Sequence, residues 1–271
     1  MSLIKKISYH PWVVKLVSKL HARTLLRKMY FYLARPKDGI LSIQCLDFEA
    51  KFLALNPDDL RLVESVTGSA GERRVIESFL SLISLGETVF DIGANMGTYA
   101  ILLAKRVGQK GKVIAFEPEE KSIALLEKNI ALNQLENIQV VAKALGDKAI
   151  TTSLYLGKTT GNFSLVKSYE DHIASQKIEV VAGDEFVLEN KITIPSAIKI
   201  DVEGFEYQVL YGLKNTLENT LCRVLCVEMH PGLFPDGVDE KKIISFIKSL
   251  GFLNVEVFKR GFSAYHIIAT K

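Results

Sequence analysis

The stretch "TVFDIGANMGTYAILLA", residues 88–104, decides how the chain is read. An apolar run ends in an acid, two glycines follow with three residues between them, and a second run with helical spacing begins. A strand that turns directly into a helix through glycines is the opening unit of a doubly wound α/β sheet. Ligands bind in such sheets beyond the carboxyl ends of the strands. Gly93 and Gly97 are therefore expected to let the backbone turn tightly and come close to a ligand. A dinucleotide fingerprint would read Gly-x-Gly-x-x-Gly and aim a helix N-terminus at a pyrophosphate. Here the pattern is Asp-x-Gly-x-x-x-Gly, and Asp91 stands where a phosphate would be repelled. The ligand this acid suits carries positive charge.

Outward from that stretch, strands and helices alternate. "GSAGERRVIESFLSLISLG" reads as a helix before it. The strand "KVIAFEP", a helix over about 119–132 and the strand "IQVVAKAL" come after it. Residues 150 to 195 interrupt the rhythm with two strand-like runs, "TTSLYLGK" and "KIEVVAGDEF", around the Gly- and Ser-containing "TTGNFSLV". Alternation resumes with the strand "SAIKIDV", a helix over about 205–218, the strand "CRVLCVEMH" and a helix over about 239–249. The last two runs, "NVEVFK" and "SAYHIIAT", read as an antiparallel edge pair. Apolar strands alternating with helices predict a mostly parallel sheet covered on both faces.

Composition is that of an ordinary globular chain, with 48% hydrophobic and 24% charged residues among 271. No apolar run approaches the roughly 18 residues of a membrane span, and the basic start lacks the compact apolar core of a secretory signal. Cys45, Cys222 and Cys226 form neither a disulfide framework nor a zinc pattern, so reduced thiols and a cytoplasmic location are expected. The net charge of +3 is unevenly spread: residues 1 to 37 hold nine Lys or Arg and no acid, leaving 25 bases against 31 acids in the rest. Three segments follow: a basic helical arm over 1–38, a hairpin appendage over 39–69 that the Asn56-Pro57-Asp58-Asp59 breaker closes, and the alternating domain over 70–271. Within the arm, residues 12–33 read as a helix with Val13, Leu16, Val17 and Leu20 on one stripe. Such a helix suits docking on the body, on a second subunit or on an anionic membrane surface.

A second acid narrows the ligand. Glu117 ends the strand "VIAFEP", before Pro118, and can accept hydrogen bonds from both hydroxyls of a ribose. An adenosine bearing a sulfonium and an ammonium satisfies both acids, and that ligand is S-adenosylmethionine. Asn95 in the glycine loop joins the expected cofactor set. Ala144, Leu145 and Asp147, after the third strand, are expected beside the adenine edge. Glu72 is a lesser candidate.

"FDIGANMGTYA", "VIAFEPEE", "IKIDVEGFEYQVLYG" and "VLCVEMH" resemble the successive motifs of FkbM-type methyltransferases over roughly residues 70 to 270. The resemblance implies a Rossmann-like, seven-stranded sheet and transfer of a methyl group from S-adenosylmethionine, usually to an oxygen on a sugar or natural product. The arm and hairpin lie outside it.

Methyl transfer to a hydroxyl requires an aligned acceptor, excluded water and a group that takes the acceptor proton. "IKIDVEGFE" places Asp201 and Glu203 two residues apart at one strand end, and "VEMH" places Glu228 and His230 likewise at the next. His230 is the expected general base, because an imidazole titrates near neutrality. Asp201 is expected to position the methionine moiety or the acceptor, Glu203 to cap the next helix or join the reaction centre, and Glu228 to line it. Lys199 is placed to pair with a nearby carboxylate or meet the acceptor. Asn162 and Ser164, in the insert, are candidate acceptor contacts. The Asp/Glu/His set is also of a kind that holds a divalent ion. Metal-dependent methyltransferases place Asp after the fourth strand and Asp-Asn after the fifth, however, so no metal ligand is assigned. A small-molecule or glycan acceptor is the expected partner. "DVEG" stands where base methylation would need an Asn/Asp-Pro-Pro-aromatic motif, which disfavours a nucleic acid, and intact acids at the strand ends argue against a non-catalytic binding module.

Overall fold

The computed structural model describes residues 23–67, 72–157, 163–165, 172–259 and 264–271. Most of the basic arm (residues 1–22) and Asn162 lie outside them. Helix α1 (Arg23–Ala34) precedes the hairpin β1 (Ile40–Cys45) and β2 (Phe48–Leu53), then α2 (Pro57–Thr67) and α3 (Arg73–Ser81). The alternating body follows as β3 (Thr88–Ile92), α4 (Thr98–Val107), β4 (Lys112–Phe116), α5 (Glu120–Leu132) and β5 (Ile138–Val141). The insert comprises β6 (Ala144–Gly146), β7 (Ile150–Gly157), β8 (Phe163–Ser164), β9 (His172–Ala182) and α6 (Gly183–Glu189). The chain returns through β10 (Ala197–Ile200), α7 (Glu206–Gly212), α8 (Lys214–Glu218), β11 (Val224–Met229), α9 (Glu240–Ser249), β12 (Asn254–Lys259) and β13 (Tyr265–Thr270).

Seven strands form the central sheet in the order β12-β13-β11-β10-β3-β4-β5. β10, β11, β3, β4 and β5 pair in parallel, while β13 pairs antiparallel with both β11 and β12. The chain winds outward from β3 to β5 and then returns to β10, so the order reverses between β3 and β10. That reversal opens a crevice at their carboxyl ends. The two faces of the sheet carry two large apolar clusters, one containing Phe79, Leu102 and Val113, the other Phe90, Ile198 and Leu225.

Local chemistry corrects several expectations. Asn56-Pro57-Asp58-Asp59 starts a helix rather than merely breaking a strand. The Asn56 side-chain oxygen accepts from the Asp58 and Asp59 amides, and Asp59 Oδ2 accepts from Leu55 and Asn56. With Pro57 at the first helical position, this is a reciprocal N-terminal cap. The hairpin is no loose appendage either: Ile43, Ala50 and Phe52 are buried in the same core cluster as Phe79 and Leu102. Asn129 Oδ1 accepts from the Leu53 amide at 2.8 Å while its Nδ2 donates to the Met96 carbonyl at 2.9 Å, tying β2 to the loop before α4. "IQVVAKAL" splits, because β5 pairs with β4 while β6 joins β9 in a separate four-stranded sheet. "KIEVVAGDEF" likewise ends as a strand at Ala182, where α6 begins.

Helix α1 docks through Phe31, which packs with Ala54 and Leu60, and through Tyr30, whose hydroxyl donates to Glu64 Oε1 at 2.6 Å. Met29, Tyr32 and Leu33 on the same helix are exposed. All three cysteines are buried free thiols. Among the described residues no helix is long and apolar enough to cross a membrane.

Candidate active site

A cleft of about 630 Å³ opens at the β3/β10 reversal. Ile92, Gly93, Asn95, Glu117, Pro118, Ala144, Leu145, Asp201 and Glu203 line it, with Leu154 and Leu165 of the insert and Phe205 completing its wall. Most of the expected cofactor set therefore meets in one place, and Leu154 and Leu165 of the insert help to wall it.

Glu117 is the best-built acid of the cleft. Its Oε2 accepts from the Asn95 amide at 2.7 Å and its Oε1 from the Glu119 amide at 2.9 Å. Asn95 reaches that position with a left-handed backbone (φ 49°). Each carboxylate oxygen retains a second lone pair for a ligand hydroxyl. Burial pushes the carboxyl up to about 7 despite these two amide bonds. An acid with spare acceptor capacity among apolar walls fits a nucleoside with vicinal hydroxyls.

The glycines serve protein packing as well as any ligand. At Gly93 (φ 79°) a Cβ would stand 1.8 Å from the Asp201 carbonyl oxygen, and at Gly97 (φ 91°) it would strike Leu126 at 2.3 Å. Gly93 is what lets β3 and β10 converge.

Asp91 departs from its expected role. It is fully buried and does not line the cleft, whereas its neighbour Ile92 does. Successive strand residues face opposite sides of the sheet, and Asp91 faces Lys199, its register partner on β10. Lys199 Nζ lies 3.5 Å from Asp91 Oδ1, 3.2 Å from Asp201 Oδ2 and 3.3 Å from the Gly93 carbonyl, with the Tyr99 ring 4.8 Å away. Burial works against its charge, but Asp201 and Asp91 outweigh that and hold Lys199 above the ordinary lysine range. Lys199 thus sits as a buried brace between β3 and β10, and neither it nor Asp91 is among the residues that line the cleft.

Asp201, Glu203, Glu228 and His230 do converge, around the imidazole. His230 Nε2 lies 3.5 Å from Glu203 Oε2, 3.8 Å from Glu228 Oε1 and 4.0 Å from Asp201 Oδ1. Two partners escaped the sequence reading. Glu206, fully buried, meets His230 Nδ1 at 2.6 Å and accepts from the Gly204 amide at 3.0 Å. His266 Nε2 lies 3.2 Å from Glu228 Oε2, as their antiparallel register pairing allows. Burial opposes the imidazolium, but the Glu206 bond and the charges of Glu203 and Asp201 raise His230 to about 10. A ring held protonated at neutral pH does not meet the premise on which His230 was read as the general base. Burial raises Glu203 to about 7, with His230 opposing and Asp201 and Glu228 reinforcing the shift. Glu203 also does not cap the next helix through its side chain; the Glu206 carboxylate takes the Gly204 amide instead.

Glu203 holds a left-handed backbone (φ 49°), and the turn is pinned from two sides. Ser164 Oγ donates to the Glu203 carbonyl at 2.6 Å, and a Cβ on Gly204 would meet the Leu233 carbonyl oxygen at 2.6 Å. Ser164 therefore positions the turn instead of contacting an acceptor as expected. Asp147 is exposed and absent from the cleft wall, because β6 carries the chain away toward Gly212.

A doubly wound sheet with a ribose-type acid at the end of β4 and ionisable groups at the ends of β10 and β11 is the site of an S-adenosylmethionine-dependent methyltransferase. The family model for the methyltransferase FkbM domain matches residues 91–253, and the chain belongs to that family. Among curated relatives, the hexuronic acid methyltransferase AglP of Haloferax volcanii is 26% identical over 215 residues, which is 78% of this chain and 81% of that protein. A probable cobalt-precorrin-6B C(15)-methyltransferase of Thermoplasma volcanium is 28% identical over 130 residues, 46% of this chain and 65% of the relative. A solved FkbM methyltransferase from Methylobacillus flagellatus aligns with a TM-score of 0.49 at 16% identity, covering 68% of this chain and 43% of that one.

Proposed function

We propose that the protein methylates a hydroxyl oxygen of a sugar or glycan. The cofactor is S-adenosylmethionine, which supplies a methyl group already activated on a sulfonium. The observation that carries the reading is that Asp201 and Glu203 belong both to the cleft wall and to the cluster around His230. Ionisable groups thus reach the reaction side of the cofactor cleft itself. The acceptor oxygen attacks the methyl carbon, the thioether leaves, and the hydroxyl proton passes to this cluster. A hydroxyl acceptor fits this cluster because it must give up a proton as it attacks, and the cluster holds groups that can take it. The similarity to a protein named for hexuronic acid methylation supports a sugar acceptor.

The test is to incubate the protein with S-adenosylmethionine and a panel of sugars, uronic acids and glycan fragments. Mass spectrometry should find a methylated product and S-adenosylhomocysteine in equal amounts. Cofactor that stays unconsumed with every hydroxyl acceptor, while an amine or nucleic-acid substrate is methylated, would replace this reading.

A further inference from the structure

We infer that Asp201, Glu203 and His230 form a divalent-cation site at the reaction side of the cleft. The inference rests on the methyltransferase reading for its purpose, but not for its geometry. One ligand atom from each of the three residues lies within 4.8 Å of the others. Metal–ligand bonds of about 2.0–2.2 Å place neighbouring ligands roughly 3–4 Å apart, and His230 Nε2 is 3.5 Å from Glu203 Oε2 and 4.0 Å from Asp201 Oδ1. Those gaps exceed a good hydrogen bond.

The ring itself supplies the independent observation. His230 is nine-tenths buried, and its Nδ1 is engaged by Glu206 at 2.6 Å. A carboxylate on the far nitrogen of a histidine fixes the ring's orientation, as it does for metal-binding histidines, and a cation arriving at Nε2 would displace the proton that the ring carries there. Nε2 then faces Glu203 Oε2 and Asp201 Oδ1, whose residues both line the cleft. Glu206 in turn is held by the Gly204 amide.

Charge points the same way. Glu203, Glu206, Glu228 and Asp201 all lie within 4.0 Å of the imidazole. Lys199 answers Asp91 and the other oxygen of Asp201 on the far side. Two carboxylates and an imidazole form a mixed oxygen–nitrogen set that suits Mn²⁺ or Zn²⁺ better than Ca²⁺. Three protein ligands leave coordination positions open toward the cleft, where a cation would hold an acceptor hydroxyl and favour its ionised form.

The test uses Mn²⁺ alone on the full-length, metal-stripped protein, with free Mn²⁺ followed by its paramagnetic resonance signal. One Mn²⁺ should bind per chain. Glu203→Gln and His230→Gln should each weaken binding at least about 10-fold. Glu206→Gln, which touches no ion, should weaken it by roughly 10–100-fold. Calorimetry with S-adenosylhomocysteine reports whether each variant is folded. Absence of saturable Mn²⁺ binding by the wild type, or equal binding by folded variants, overturns the site. Methyl transfer that runs unchanged in excess chelator also overturns it while leaving the methyltransferase reading intact. Failure of the wild type to bind S-adenosylhomocysteine, with Mn²⁺ still bound, would instead remove that reading and leave the ion.

Discussion

At the residue scale, Glu117 governs the cofactor end of the cleft. A hydrogen bond to a charged group contributes about 1.5–3 kcal/mol, so calorimetry on Glu117→Ala should show a loss of S-adenosylhomocysteine affinity of at least that size. The pH dependence follows from burial having raised this carboxyl to about 7. Above that pH both oxygens accept hydrogen bonds, and below it one becomes a donor, so affinity should rise as pH increases through 7. Stability of the ligand-free protein runs oppositely. The folded-state value lies above the ordinary 4.5, so the Glu117 contribution is complete below 4.5 and is lost as pH climbs through 7. Glu117→Gln should flatten its share of both trends in parallel calorimetric and urea titrations. His230→Ala should keep cofactor affinity while turnover falls by at least about 10-fold, the ring being what holds the acidic cluster together at the reaction side, and loss of both together would mark it as merely structural. Alternation along β10 and β11 makes Asp201, Glu203, Glu228 and His230 legible in the sequence, because residues two apart share a side. Asp91 and Lys199 needed the knowledge that β3 and β10 are neighbours: only then does their register show that each answers the other. His266 was hidden for the same reason, since Glu228 meets it across an antiparallel pair, and Glu206 because a helical turn brings it back under the ring.

At the scale of elements, the hairpin and the cofactor loop are coupled through one side chain. Asn129 on α5 serves the Leu53 amide of β2 and the Met96 carbonyl of the glycine loop. Asn129→Leu leaves the buried Met96 carbonyl and the part-buried Leu53 amide without their partner, at about 1–3 kcal/mol for a fully buried group. Urea denaturation should therefore show at least about 2 kcal/mol of lost stability; a change within about 0.5 kcal/mol would mean that water or a shifted loop replaces the amide. Asn56→Ala supplies a contrast, since it removes the cap of α2 far from the cleft and should cost about 1 kcal/mol without altering cofactor affinity. The strand–helix alternation was readable because its period changes from 2 to 3.6 at each glycine turn. The hairpin's membership of the core was not, since half-alternating strands look alike whether they pack on the body or stand apart. The division of "IQVVAKAL" between two sheets was equally invisible, because pairing partners, not propensity, decide it.

At the scale of the whole molecule, the cleft joins elements that are distant in sequence: the end of β3, the end of β4, the turn after β10 and the insert. A ligand that binds only this assembled form stabilises it by mass action, by about 2.7 kcal/mol at a concentration 100 times Kd. For a domain of this size each kcal/mol moves Tm by roughly 2–4 °C, so saturating S-adenosylhomocysteine should raise Tm by about 5–10 °C in a thermal scan. The size of this increment separates the two kinds of residue identified above. Asn129→Leu should start from a lower Tm and recover most of the same increment once ligand saturates, because its loss is in the scaffold. Glu117→Gln should start somewhat below the wild-type Tm, because its amide nitrogen cannot accept from one of the two backbone amides that Glu117 serves, and gain little at the same ligand concentration. If both variants show the full increment, Glu117 contributes nothing to cofactor binding and the acid at the end of β4 is a scaffold residue like Asn129.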